Sequence, residues 1–244
     1  MNRLALMILR NIWHVPAAYG KLCHYAKHTE KYPEEEKWRH IQHVMRLAVG
    51  AGNVDLQVFG KENIPTQGGF MLYGNHQGLF DVLAIAASCD MPLGIVYKKE
   101  LKSVPLLKQI YACTKSFAMD REDVRQSLTV IQKVTQEVEK GRNYVIFPEG
   151  TRSRKGNEML PFHGGSFRCA LKAKCPVIPM AFIDSFRVLD EKGSKQVSVQ
   201  LHYLEPIPYE EFKDRKAAEL AQLVQQRIQK AIEEHKNGFF ILYN

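Results

Sequence analysis

A chain of 244 residues with 45% hydrophobic and 25% charged side chains has the composition of a folded globular domain, which excludes a disordered or collagen-like protein. The 34 basic residues outnumber the 26 acidic ones and leave a net charge of +8, so the partners to consider are polyanions: nucleic acid, anionic lipid or a phosphorylated substrate. Eight Lys or Arg against four Glu fall in the first fifty residues, which puts half of the excess at the front of the chain.

Leu4 to Tyr19 (LALMILRNIWHVPAAY) is apolar but broken by Arg10, Asn11, His14 and Pro16. It is too short for a span, which needs ~20 apolar residues. Wound as a helix, it gathers Leu4, Met7, Ile8, Ile12 and Val15 on one face and Arg3, Arg10 and His14 on another, with Trp13 between. That pattern suits a membrane interface or packing on the protein's own body. A second helix is expected from about Glu34 to Val49, entered through Pro33, with Trp38, Ile41, Val44, Met45 and Ala48 at helical spacing. The expected organisation is therefore a two-helix element at 1–52, touching the membrane, followed by an α/β domain at 53–244.

From Val54 short β-type runs alternate with helical periods, the grammar of a single wound mixed sheet flanked by helices. Strands are expected near 54–59, 70–74, 94–98, 116–120, 143–147, 176–183 and 196–204. The clearest helix follows Arg121, with a stripe of Val124, Leu128, Ile131, Val134 and Val138 that stops before Gly141. A last helix is expected over about 214–235, and the apolar tail Phe239 to Tyr243 reads as a segment that packs on the protein or touches the membrane.

Cys23, Cys89, Cys113, Cys169 and Cys175 form no C-x-x-C pair, consistent with reduced thiols and a cytoplasmic location. Walker A, G-x-G-x-x-G, H-E-x-x-H and G-x-S-x-G motifs are all absent. His24 and His28, like His40 and His43, lack a third ligand of obvious spacing, so no metal is expected. No cofactor is expected either.

The residues that carry chemistry stand at strand ends. Asn75-His76-Gln77-Gly78-Leu79-Phe80-Asp81 follows an apolar strand and opens an apolar helix, the position where α/β active sites collect. A histidine there can take a proton near neutral pH, and Asp81 can orient one imidazole nitrogen while the other serves as base. Tyr144 to Phe147 delivers Pro148-Glu149-Gly150-Thr151-Arg152-Ser153 to a second loop, in which Gly150 permits close approach and Arg152 is a forked donor suited to phosphate. Arg121 and the pair Lys98-Lys99 end two further strands.

The ordered blocks N-H-x4-D, K-K-E-L with Pro105, F-x-x-D-R, F-P-E-G-T-R-S and Pro176-Val177-Ile178-Pro179 resemble the glycerophospholipid acyltransferase family, most closely its bacterial 1-acylglycerol-3-phosphate acyltransferases. The resemblance covers about residues 55–205. It implies that His76 is the general base and Asp81 its partner, acting on the sn-2 hydroxyl of a lysophosphatidate. The donor would be acyl-CoA or acyl carrier protein, the product phosphatidate, with no covalent acyl-enzyme. It also implies that Arg121, Arg152 and Lys98 or Lys99 bind the acceptor's phosphate, and that Glu149, Gly150 and Thr151 line the acceptor pocket. Oxyanion donors are expected from backbone N–H groups at the start of the helix after His76. His163 is expected on a loop surface.

Two segments depart from the family's usual wording: Ser116 to Asp120, and Gln77 to Phe80. Glycerol 3-phosphate or another lysophospholipid remains an alternative acceptor. A non-catalytic module that holds anionic lipid is the alternative from a different class. Nucleic acid is disfavoured, because the cations sit at strand ends rather than along one groove-reading helix. The expected location is the cytoplasmic face of the cell membrane, peripheral or monotopic.

Overall fold

The computed structural model describes residues 3–236, so the Phe239 to Tyr243 tail lies outside the described residues. Three helices come first: α1 (Arg3–Arg10), α2 (Val15–Lys27) and α3 (Glu34–Ala51). Where the sequence suggests one helix over 4–19, the chain breaks at 11–14. Pro16 sits in the first turn of α2, where it is tolerated. In a continuous helix its ring would collide with the carbonyl of Ile12. Asn11 caps the break by donating its side-chain amide to Met7 O and Leu47 O, at 2.9 and 3.1 Å.

The strands are β1 (Val54–Phe59), β2 (Met71–Gly74), β3 (Leu93–Lys98), β4 (Phe117–Met119), β5 (Asn143–Ile146), β6 (Val177–Ile183) and β7 (Val197–Tyr203). They form one sheet in the order β1-β7-β6-β2-β5-β3-β4. β6, β2, β5, β3 and β4 are mutually parallel, and the β7–β6 contact is antiparallel while β7 and β1 are parallel. The sheet is therefore mixed. β2, β5 and β6 are buried along their whole length, as strands covered on both faces must be.

The helices between strands are α4 (Phe80–Ser88), α5 (Leu107–Cys113), α6 (Val124–Glu139), α7 (Arg168–Ala173) and α8 (Phe186–Leu189), and α9 (Ala217–His235) follows the last strand. Side chains alternate across the sheet. Phe70, Leu72, Val145, Ile178 and Met180 pack with α3 and α4 on one face, whereas Met71, Tyr73, Tyr144, Ile146 and Val177 pack with α6, α7 and α9 on the other. Met7, Leu22 and Tyr25 of the first two helices belong to the α3–α4 cluster.

α1 is turned differently from a simple amphipathic reading. Arg3 is only 5% exposed; its guanidinium donates to the carbonyls of Val188, Gly52 and Lys195 at 3.0, 3.3 and 2.8 Å. Arg10 donates to Ala51 O and to Asn53 Oδ1. Both cations thus face the protein. Ile8, Leu9 and Ile12 face solvent beside Trp13, which is 90% exposed. No helix among the described residues is long and apolar enough to cross a membrane.

The topology decides where the site lies. Because β6, β2, β5, β3 and β4 run the same way, their carboxyl ends share one edge. That edge presents, in spatial order, Asp184-Ser185, Asn75-His76, Phe147 to Glu149, Lys98-Lys99 and Asp120-Arg121.

Candidate active site

β2 ends at Gly74, and the segment that follows curls back so that His76 Nδ1 lies 2.7 Å from Asp81 Oδ2. The same oxygen accepts the backbone N–H groups of Gln77 and Gly78, at 2.7 and 3.0 Å. Ser185 Oγ donates to the other oxygen, Oδ1. Asp81 is fully buried, and a buried carboxylate is tolerated only when its lone pairs are filled in this way. Since the carboxylate accepts, Nδ1 carries the imidazole proton and Nε2 keeps a free lone pair. The His76 side chain is 18% exposed, and its ring stacks on Phe147 at 4.2 Å between centroids.

Gly78 is required by the approach of α8: a Cβ there would lie 2.5 Å from Asp190 Oδ2 and 3.1 Å from the Phe186 Cα. The Gln77 and Gly78 amides are committed to Asp81, so the oxyanion donors expected at the start of this helix do not include them.

The β5 loop meets the dyad from the side. Glu149 is buried, and its Oε1 accepts the His76 N–H at 2.8 Å while Oε2 accepts the Leu160 N–H at 2.9 Å. Burial pushes its pKa up from 4.5 to about 7, against the opposing pull of those two hydrogen bonds. Ser153 N donates to His76 O at 2.9 Å. Gly150 takes a left-handed φ of 71°, a conformation open to glycine at little cost.

A cavity of about 590 Å³ opens beside Phe147. Its lining includes the apolar or aromatic Val96, Tyr97, Met119, Leu128, Ile131 and Ile146, and also Arg121, Glu149, Gly150, Thr151, His163 and Arg168. Val124 also lines it and is 70% exposed. The upper part of the α6 stripe therefore faces this cavity, while Val134 and Val138 enter the core.

The cations expected to act together are not equivalent. Lys98 pairs with Glu100 at 3.2 Å, Lys99 with Asp120 at 2.5 Å, and Arg152 with Asp190 at 2.5 Å. The Asp120 hydrogen bond raises the Lys99 pKa, and Lys99 lowers that of Asp120. Arg121 and Arg168 line the cavity and have no ion-pair partner among the described residues. Burial lowers the Arg121 pKa from its ordinary value. His163 also lines the cavity instead of serving only a loop surface. Arg168 and Ser185 escaped the sequence reading: one lies outside every recognised block, and the other is a lone polar residue 104 positions from Asp81.

The order of these loops along one sheet edge invites comparison with known proteins. The acyltransferase family model matches residues 55–183, more than half of the chain. The chain belongs to the acyltransferase family. It is 28% identical over 200 residues to a 1-acyl-sn-glycerol-3-phosphate acyltransferase of Saccharomyces cerevisiae, covering 80% of this chain and 65% of that protein. A Salmonella typhimurium protein of the same description is 30% identical over 155 residues, covering 63% of each. This chain thus spans slightly less than two thirds of those relatives' lengths. The crystal structure of a 1-acyl-sn-glycerophosphate acyltransferase from Thermotoga maritima shares the fold, with a TM-score of 0.74 at 22% identity, covering 96% of this chain and 98% of that one.

The raised pKa of Glu149 has a stability consequence. The folded state holds the proton more tightly than the unfolded chain, so stability is lost as pH rises from about 4.5 through about 7. Glu149→Gln removes the titrating group but turns its amide nitrogen towards one of the two backbone N–H donors, so it should be less stable than the wild-type chain at pH 4.5 and should lose less stability between pH 4.5 and 8. Urea unfolding of both proteins between pH 4.5 and 8 checks this; parallel stability profiles would contradict it.

Proposed function

We propose that this acyltransferase moves a fatty acyl group from acyl-CoA or acyl carrier protein to the sn-2 hydroxyl of 1-acylglycerol 3-phosphate, yielding phosphatidate. The observation that carries the reading is the 2.7 Å contact between His76 Nδ1 and the buried Asp81 carboxylate, at the sheet edge that also holds Glu149 and Arg121. The descriptions of the yeast and Salmonella relatives support the choice of acceptor.

In this mechanism His76 Nε2 takes the hydroxyl proton as the acceptor oxygen attacks the thioester carbonyl carbon, and Asp81 stabilises the imidazolium. The tetrahedral intermediate then collapses, the C–S bond breaks, and the thiolate leaves with the proton from His76. No side chain becomes acylated, so no nucleophilic Ser or Cys is needed. Arg121 holds the acceptor's phosphate, and Arg168 on the same cavity adds charge. Lys98, Lys99 and Arg152 are the remaining candidates for phosphate; each would have to exchange a carboxylate for it. Glu149, Gly150 and Thr151 border the glycerol portion, and the apolar lining of the cavity suits an acyl chain.

His76→Ala should lower acyl transfer by roughly a thousandfold or more with the fold intact; full activity by thiol-release assay would sink the mechanism. Arg121→Ala should raise the acceptor KM by about tenfold or more and leave the donor KM unchanged. An unaltered acceptor KM would remove its role.

The exposed apolar residues of α1 and of the turn that follows it, Ile8, Leu9, Ile12 and Trp13, support peripheral or monotopic association with an anionic membrane surface. Deleting residues 1–30 would also remove Met7, Leu22 and Tyr25 from the core, so point changes are the cleaner test. The pair Ile12→Glu and Trp13→Glu should cut co-sedimentation with anionic phospholipid vesicles at unchanged thermal stability. Undiminished sedimentation would rule out this face as the anchor.

A further inference from the structure

We propose that Ser185 is a positioning residue for the His76–Asp81 dyad, holding the carboxylate plane that aims the imidazole. The proposal rests on the dyad reading above. Asp81 Oδ2 has three donors from its own loop: His76 Nδ1 and the Gln77 and Gly78 N–H groups. Oδ1 has the Ser185 hydroxyl, from another strand end, as its partner among the described residues. Any turn of the carboxylate about its Cβ–Cγ bond swings Oδ2 away from Nδ1, and the donors on Oδ2 resist that turn from one end of the group only. A second donor on Oδ1 stops that rotation.

Ser185 is itself fixed. It is fully buried, immediately after Asp184, which takes a left-handed φ of 61°. The Ser185 N–H donates to Gln77 Oε1 at 2.8 Å, and Gln77 Nε2 donates to Asn157 Oδ1 at 2.8 Å. Asn157 closes the circuit by accepting the Asp184 N–H and donating to Asp184 Oδ1, both at 2.9 Å. The β2, β5 and β6 loops are thereby locked to one another around Asp81. At the far end of α8, Asp190 holds Arg152. Ser185 is not a nucleophile, because its side chain is fully buried and does not line the cavity.

The test compares Ser185→Ala and Ser185→Thr with the wild-type chain, using steady-state kinetics with acyl-CoA and lysophosphatidate. ¹⁵N NMR of the imidazoles, with the His76 signal identified by its loss in His76→Gln, reads the tautomer. Ser185→Ala should lower kcat between about 10- and 100-fold, as small misalignments do, with both KM values held within about twofold. Its His76 signal should move from the Nδ1–H form towards a tautomer mixture. Ser185→Thr, which keeps the hydroxyl, should recover most of kcat. A Ser185→Ala enzyme with wild-type kcat, or one whose kcat falls with an unaltered His76 tautomer, overturns the proposal. Activity retained by His76→Ala would instead bring down the dyad itself; an inactive His76→Ala beside a fully active Ser185→Ala would remove only the role of Ser185.

Discussion

A carboxylate with no solvent exposure must find all its hydrogen-bond donors inside the protein, and around Asp81 that requirement organises three loops. Two backbone amides from the turn after β2, an imidazole and a serine hydroxyl meet it. To place those amides the chain must fold tightly between His76 and Asp81, and to admit α8 it must have no side chain at Gly78. The serine requires β6 to lie beside β2, which the parallel order of the sheet provides. Removing the serine hydroxyl leaves Oδ1 without its donor in a site that water does not reach.

The positive charge of the chain is divided by its partners rather than by its position in sequence. Arg3 and Arg10 spend their donors on backbone carbonyls and Asn53, so α1 offers the surroundings an apolar face, while Lys21, Lys27, Lys31 and Arg39 of the next two helices and their connection are exposed. Lys98, Lys99 and Arg152 are held by carboxylates. Arg121 and Arg168 line a cavity together with Val96, Met119, Leu128, Ile131 and Ile146. A ligand with a phosphate at one end and an acyl chain at the other matches that lining.

Much of this was legible in sequence because the signals are local. β2, β5 and β6 are largely apolar runs while β1 and β7 alternate apolar and polar residues, and the expected spans agree with all seven strands to within a residue. The helices over Glu34–Ala51, Val124–Glu139 and Ala217–His235 are long enough for a 3.6-residue period to show. α5, α7 and α8 hold seven, six and four residues, too few to display one. The inward turn of Arg3 depends on carbonyls 49, 185 and 192 positions away, and no periodicity reports a partner that distant. His76 and Asp81 were visible because they lie five residues apart; Ser185 was not, for the same reason in reverse.

The acceptor's phosphate and the thioester donor together define the central claim, and an acceptor and donor panel on the purified chain tests it most directly. Lysophosphatidate, glycerol 3-phosphate and monoacylglycerol would each be paired with one acyl-CoA and one acyl carrier protein, with thiol release and lipid product both followed. The account predicts phosphatidate formation matched by thiol release with lysophosphatidate, and little or none with monoacylglycerol, which lacks the phosphate. Thiol release that no acceptor stimulates, or equal turnover of monoacylglycerol, would contradict it.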